Sequence, residues 1–173
     1  HDDPAMQVKL LQSVVTASKA AHSNPAFAQL TAQLLEVART RAIDAGLPDD
    51  QRSAALGTFS LSSFATDGEL LLNSLDSIQP PTVQSAALAT LLQYSDEQVA
   101  LQLLDRWSGL SPKLVERVRD GLLGRTSWAV LLLDAVSAGR LPATTLSPSD
   151  LQRLASIPDD AVRSRAIRLL ETM

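Results

Sequence analysis

The sequence predicts an all-α protein, an α-solenoid of about ten helices in antiparallel pairs, and three observations predict it. Hydrophobic residues make up 45% of the chain and aromatics only 3%, with Ala and Leu dominant, a mixture that suits closely packed helices over sheets. Apolar residues recur at i, i+3 and i+4 through a series of short segments, most of them opened by proline or by a hydroxyl or acidic side chain. The segments also repeat one another. Leu-Asp occurs at Leu75-Asp76, Leu104-Asp105 and Leu133-Asp134, 29 residues apart each time, and Ser53-Ala54-Ala55-Leu56 returns 32 residues later as Ser85-Ala86-Ala87-Leu88. A period near 30 built from paired amphipathic helices is the pattern of a stacked helical array, in which one pair cannot bury its apolar face alone and its neighbours cover it. The competing reading is a helical bundle whose Leu/Ala-rich helices merely look alike.

On this reading residues 1–173 form one helical repeat domain. It comprises an irregular N-terminal pair over 3–46, repeats over about 48–79, 80–110 and 111–140, and a C-terminal pair over 147–172. In the first pair, Asp3-Pro4 opens a helix with Met6, Leu10, Val14 and Ala17 on its apolar face. Asn24-Pro25 opens the second, with Phe27, Leu30, Leu34, Val37 and Ala38 inward and Gly46 as the stop. Pro48-Asp49-Asp50 begins the next helix, with Ala54, Ala55, Leu56 and Phe59 inward. Residues 60–65 read as an insertion before a Thr66-x-x-Glu69 capping box.

The central unit, 80–110, starts on Pro80-Pro81 and carries Val83, Ala87, Leu88, Leu91 and Leu92. Ser95 with Gln98 is the expected cap of its second helix, which carries Val99, Ala100, Leu103, Leu104 and Trp107 and stops at Gly109. Ser111-Pro112 starts a helix with Leu114, Val115, Val118 and Leu122 buried. The segment Trp128–Ala138 is apolar on nearly all sides and is expected to be the most enclosed element. Ser147-Pro148-x-Asp150 then caps a short helix with Leu151, Leu154 and Ile157, and Pro158-Asp159-Asp160 starts the last, with Val162, Ala166, Ile167 and Leu170 inward.

Composition also limits function. The net charge is −4, and a general nucleic-acid binder more often shows a basic surface. There is no cysteine, which excludes disulfides, thiol catalysis and thiolate metal sites within these residues. The longest apolar run, Trp128 to Leu133, falls far short of the roughly 20 residues that cross a bilayer, so no direct membrane insertion is expected. The start lacks the basic and apolar regions of a signal peptide. The abrupt beginning and end lead us to expect a piece of a longer protein.

Catalytic and metal-binding patterns are sparse, and we assign no catalytic, cofactor-binding or metal-ligating residue and no cofactor. His1 is terminal and His22 stands at a helix end without a companion nucleophile or second ligand. The acidic pairs Asp2-Asp3, Asp49-Asp50 and Asp159-Asp160 each precede an expected helix, where carboxylates accept backbone N–H bonds. Asp76, Asp105 and Asp134 repeat with the period. They either ladder with arginines such as Arg106 or Arg140 along one surface or are solvated positions that recur with the fold. Trp107 and Trp128 read as core residues. The outward arginines 117, 119, 125, 163, 165 and 168 either gather to bind an acidic partner or form a solvated face.

One stretch resembles a known family. Gly139-Arg140-Leu141-Pro142, Leu146-Ser147, Leu154 and Pro158-Asp159 through Arg163-x-Arg165-Ala166 are similar to a pattern that ends the helical repeat region of very large planctomycete-type bacterial proteins, described as membrane-bound dehydrogenases with a haem-binding cytochrome c domain. The match is strongest over 134–170, about a fifth of the chain, and the remainder resembles HEAT and armadillo-like repeats in general. The resemblance implies a middle module between a propeller-like dehydrogenase domain and a cytochrome, and an extracytoplasmic location. The family's Cys-x-x-Cys-His haem motif has no counterpart here, so haem and dehydrogenase chemistry would belong to neighbouring domains.

The function expected from all this is a non-catalytic scaffold that holds proteins or neighbouring domains of the same chain together, with self-association through uncapped repeat ends as a further expectation. The alternatives are a helical enzyme domain with an unfamiliar site and a stand-alone dimerising adaptor.

Overall fold

The computed structural model describes residues 25–172, and helices are the only regular structure among them. The chain divides into two compact units, one ending at Ser95 and the other starting at Asp96. The division falls between the two helices expected for the 80–110 repeat. The expected first helix, with Asp2, Asp3 and His22, lies outside the described residues.

The first unit contains α1 (Pro25–Ile43), α2 (Asp49–Thr58), α3 (Phe64–Asn73) and α4 (Pro81–Leu91). Its core joins α2 to α4: Ala55, Leu56 and Phe59 are buried, as are Val83, Ala87, Leu88 and Leu91. The Thr90 hydroxyl donates across this seam to the Leu56 carbonyl at 3.2 Å, and the Tyr94 hydroxyl donates to the Phe59 carbonyl at 2.6 Å. These bonds satisfy polar atoms that would otherwise be costly to bury.

Several local expectations are corrected here. Ala54 is exposed, whereas Ala55 and Leu56 beside it are buried. On α1 the buried residues are Leu35, Ala38 and Ala42, whereas Leu30 and Val37 stay about half exposed at 48% and 52%. The inward stripe is thus turned by about a residue from the one predicted, toward the side that meets α2. Helix α3 begins at Phe64, not after Thr66. Residues 59–61 make one 3-10 turn, Ser62 and Ser63 follow, and Thr66 lies within the first helical turn, where its hydroxyl meets that of Ser63 at 2.8 Å. The early start places Asp67 in that turn and facing inward.

The second unit contains α5 (Glu97–Asp105), α6 (Pro112–Leu123), α7 (Thr126–Ser137), α8 (Pro148–Ala155) and α9 (Asp160–Thr172). Helix α7 packs against α5, α6 and α9, and buries Trp128, Ala129, Leu132, Leu133, Ala135 and Val136. It is not the most enclosed element, contrary to what its all-round apolar sequence predicts: Val130 and Leu131 are half-buried, and the shorter α4 buries an equal number of residues. The Trp128 indole N–H finds no acceptor among the described residues, and the Arg125 guanidinium covers the ring at 4.1 Å from its centre. Gly139 takes a left-handed φ of 69°, which lets Gly139 N–H reach the Val136 carbonyl and Arg140 N–H reach the Ala135 carbonyl, the paired bonds that close a helix C-terminus.

The cap of α5 is Asp96, whose carboxylate accepts the Gln98 N–H at 2.9 Å; a carboxylate one residue nearer the helix displaces the expected Ser95 hydroxyl. Trp107 lies past the end of α5 in a 3-10 turn and is only half-buried. Ile167 is 41% exposed, since α9 buries only Val162 and Ala166. The Ser147–Asp150 capping box is present as predicted, with both reciprocal bonds at 3.1 Å. Asp159 caps α9 by accepting the Val162 N–H at 3.0 Å.

The helices that open the 80–110 and 111–140 repeats share a register with α9, the second helix of the C-terminal pair, whereas α8, which opens that pair, has half-buried Asp150 at the first of the two positions. Counting from the first residue of α4, α6 and α9, the positions two and six residues on are buried in all three: Val83 and Ala87, Leu114 and Val118, Val162 and Ala166. In α2 the equivalent positions hold exposed Gln51 and buried Ala55. The Leu-Asp series is less regular. Leu75, Leu104 and Leu133 are all buried, but Leu104 and Leu133 lie inside α5 and α7 at matching depth, while Leu75 lies beyond the end of α3.

Helix α3 carries one tight point. A Cβ on Gly68 would lie 2.4 Å from the Phe64 ring, which itself meets the Tyr94 ring edge-on with centroids 6.0 Å apart. Alanine normally favours a helix interior over glycine by about 1 kcal/mol. We expect Gly68→Ala nevertheless to destabilise by about 1–2 kcal/mol, because the Phe64 ring must leave its seat. Urea denaturation checks this: the same substitution in a Phe64→Ala background should become stabilising, and a stabilised single Gly68→Ala variant would contradict the packing described.

Candidate functional site

The first unit has a polar cleft of about 470 Å³ whose walls come from α1, α2 and α3. Arg39, Ala42 and Ile43 line it from the last turns of α1, Arg52 from α2, and Asp67, Glu69, Leu70 and Asn73 from α3. Two charged clusters shape it.

The first joins α1 to α3. Arg39 donates from Nε to Asp67 Oδ1 at 2.6 Å and from Nη2 to Oδ2 at 3.0 Å, a two-pronged pairing across 28 residues. The Ser62 hydroxyl donates to the same Oδ2, and Glu36 meets Arg39 from the solvent side. Asp67 is buried while Arg39 stays partly exposed. Burial pushes the Asp67 carboxyl upward, but the bonds from Arg39 and Ser62 together with the Arg39 charge outweigh it, and the group titrates below the usual aspartate value. The Arg39 guanidinium is raised in turn, chiefly by its bond to Asp67. The Tyr94 phenol is pushed up to about 12, first by burial and then by the Asp67 charge.

The second cluster holds α2 in place. Arg52 is only 6% exposed. Its Nε donates to the Ala42 carbonyl at 3.2 Å, in the last turn of α1, and its Nη2 donates to Gln79 Oε1 at 2.7 Å. A cation there meets both the orphan carbonyls and the negative end of the helix dipole.

In the second unit two of the repeated aspartates find arginines. Arg140 lies 3.6 Å from Asp105, and Arg165 donates from Nε to Asp134 at 2.6 Å. Asp76 does not join the series. Its side chain accepts the Ile78 N–H at 3.0 Å in a turn, and its backbone carbonyl accepts from Gln84. The ladder therefore has two rungs among the described residues, and Arg106, which donates to Gln102 at 2.8 Å, is not one of them. The outward arginines are dispersed: Arg119 meets Asp120, Arg163 meets Asp160, and Arg125 covers Trp128. This unit also has a smaller apolar recess of about 260 Å³, lined by Val136, Ala143, Leu146, Leu151, Leu169 and Thr172.

No group of three His, Asp or Glu side chains is placed to share a metal ion among the described residues. None of the described helices is long and apolar enough to cross a membrane. No family model, curated protein or solved structure matches the chain.

Sequence reading missed Arg39, Arg52 and Asp67, although each carries a legible signal. Arg52 precedes buried Leu56 by four residues, Asp67 precedes buried Leu71 by four, and Arg39 follows buried Leu35 by four. A charged residue in register with an apolar stripe is either paired or aimed into a cleft.

Two predictions follow from these pairs. Removing the Asp67 charge with Asp67→Asn should cost about 2–3 kcal/mol at neutral pH, since hydrogen bonds to charged groups contribute at that level and Arg39 keeps some access to water. Because the folded-state carboxyl titrates below its unfolded value, this stabilisation is complete above about pH 4 and disappears as pH falls through the folded value. Urea midpoints for both proteins should accordingly converge in acid; a gap that does not narrow as pH falls would contradict the assignment. For Asp134 and Arg165, both partly exposed, a double-mutant cycle should give a coupling below about 1 kcal/mol that weakens in high salt.

Proposed function

We propose that this chain is a non-catalytic scaffold, a right-handed α-solenoid of HEAT-like helix pairs that mediates contacts between proteins or between domains of one larger protein. The observation that carries the reading is the shared register of α4, α6 and α9, partly repeated in α2. A common register with short connections is what stacked pairs require, since each pair offers the next the same apolar stripe. The partner is protein; no cofactor is invoked, and chemistry would reside in attached domains.

The resemblance over 134–170 supports placing the array inside a multidomain dehydrogenase and cytochrome-like protein on the extracytoplasmic side. Reading the coding sequence beyond both ends tests that placement: a downstream Cys-x-x-Cys-His supports it, and flanking domains of another kind remove it.

The architecture itself is tested by a crystal structure of the 173-residue chain. We expect the helices to stack as antiparallel pairs in sequence order. Helices arranged around one central core, without that order, would replace the solenoid with a bundle and withdraw the scaffold reading.

A further inference from the structure

The buried Arg52 brings a full charge to a structural task that a neutral amide performs elsewhere in the chain. Its task is to reach back and donate to a carbonyl at the end of the preceding segment. In α4 the residue at the same place, three positions after the helix start, is Gln84, also buried, and its Nε2 donates to the Asp76 carbonyl at 2.7 Å. A neutral amide therefore performs the equivalent task 32 residues later. In α2 a guanidinium performs it, with two neutral acceptors and no carboxylate within ion-pair distance among the described residues. Its Nη1 makes no hydrogen bond there, and the residue lines the 470 Å³ cleft. The end of the α1 dipole meets only part of the charge of a buried cation, and an anion entering the cleft would offset the remaining cost.

We propose that this cleft binds a monocarboxylate, with Arg52 as its anchor. The other charges in the cleft select the ligand. Asp67 is already matched by Arg39 and Ser62, so neither of that pair needs the newcomer. Glu69, exposed on the same wall, disfavours a second negative charge and so disfavours phosphate dianions and dicarboxylates. Asn73, whose side chain makes no bond among the described residues, offers amide donors from α3. Ala42, Ile43 and Leu70 give an apolar side, with Ile43 left 69% exposed. A carboxylate on a short aliphatic chain suits this set of walls, whether it is a free acid or the side chain of a partner's glutamate. A planar guanidinium is the cation best matched to that group.

The test is an NMR titration of the ¹⁵N-labelled chain with sodium butyrate, with sodium chloride at equal ionic strength as the control. Butyrate should move the Asn73 side-chain amide and the Arg52 Nε–H saturably, and chloride should not. Arg52→Gln copies the residue found at position 84, so it should keep the backward hydrogen bond and the fold while abolishing the response. Ile43→Glu puts a carboxylate on an exposed wall residue and should weaken butyrate by about tenfold or more. Either variant alone suffices if the other fails to fold. A capped Ala-Glu-Ala peptide separates the sources: tighter binding than butyrate means a protein delivers the group, and weaker binding means a free acid does. Absence of a saturable shift with both probes, or an undiminished response in a folded Arg52→Gln or Ile43→Glu chain, would overturn the proposal.

Discussion

Every helix from α2 onward is short, between 8 and 13 residues, and most bury a stripe on one side. That constraint governs the rest. Helices of this length are marginal on their own in water, so each persists because a neighbour covers its stripe. In the first unit the covering is reciprocal between α2 and α4. In the second it is centred on α7, the one helix whose sequence is apolar on nearly every side and which meets three others. Proline at the first position of α4, α6 and α8 fixes where those helices begin, and through their periods it fixes which side chains turn inward.

Polar groups are admitted to these interfaces where they tie one element to another. Arg39 and Asp67 connect α1 to α3, Arg52 connects α2 to the end of α1, and Gln84 connects α4 to the turn before it. Side chains of this kind place neighbouring segments more narrowly than aliphatic contact does, because a hydrogen bond tolerates little displacement. They also line the cleft: Arg39, Arg52 and Asp67 stand in its walls, and the gap between α1, α2 and α3 is polar there.

Much of the helical framework was legible in the sequence, because period and proline are local signals. The stripes of α4 and α6 could be read directly except at Leu92 and Val115, which are half-buried, and so could the Ser147 capping box. The errors arose where a tertiary contact overrode a local preference. Thr66 and Glu69 have the spacing of a cap, yet Asp67 between them is drawn inward by Arg39, 28 residues away, and the helix starts earlier to deliver it. Ser95 lost to Asp96 because two adjacent residues could each cap α5 and a carboxylate is the stronger acceptor. Trp107 was read as a core residue of α5, but the helix ends first. The cleft was invisible for a different reason: its parts lie at 39, 52, 67 and 73, and no short motif links them.

The most direct measurement of the covering constraint is amide hydrogen exchange followed by NMR across the whole chain. The account predicts the slowest exchange in the middle of α4 in the first unit and of α7 in the second, with faster exchange in the first turns of α1 and throughout the shorter α8. If α1 or α8 were protected more strongly than α4 and α7, burial between neighbours would not be what holds these helices in place.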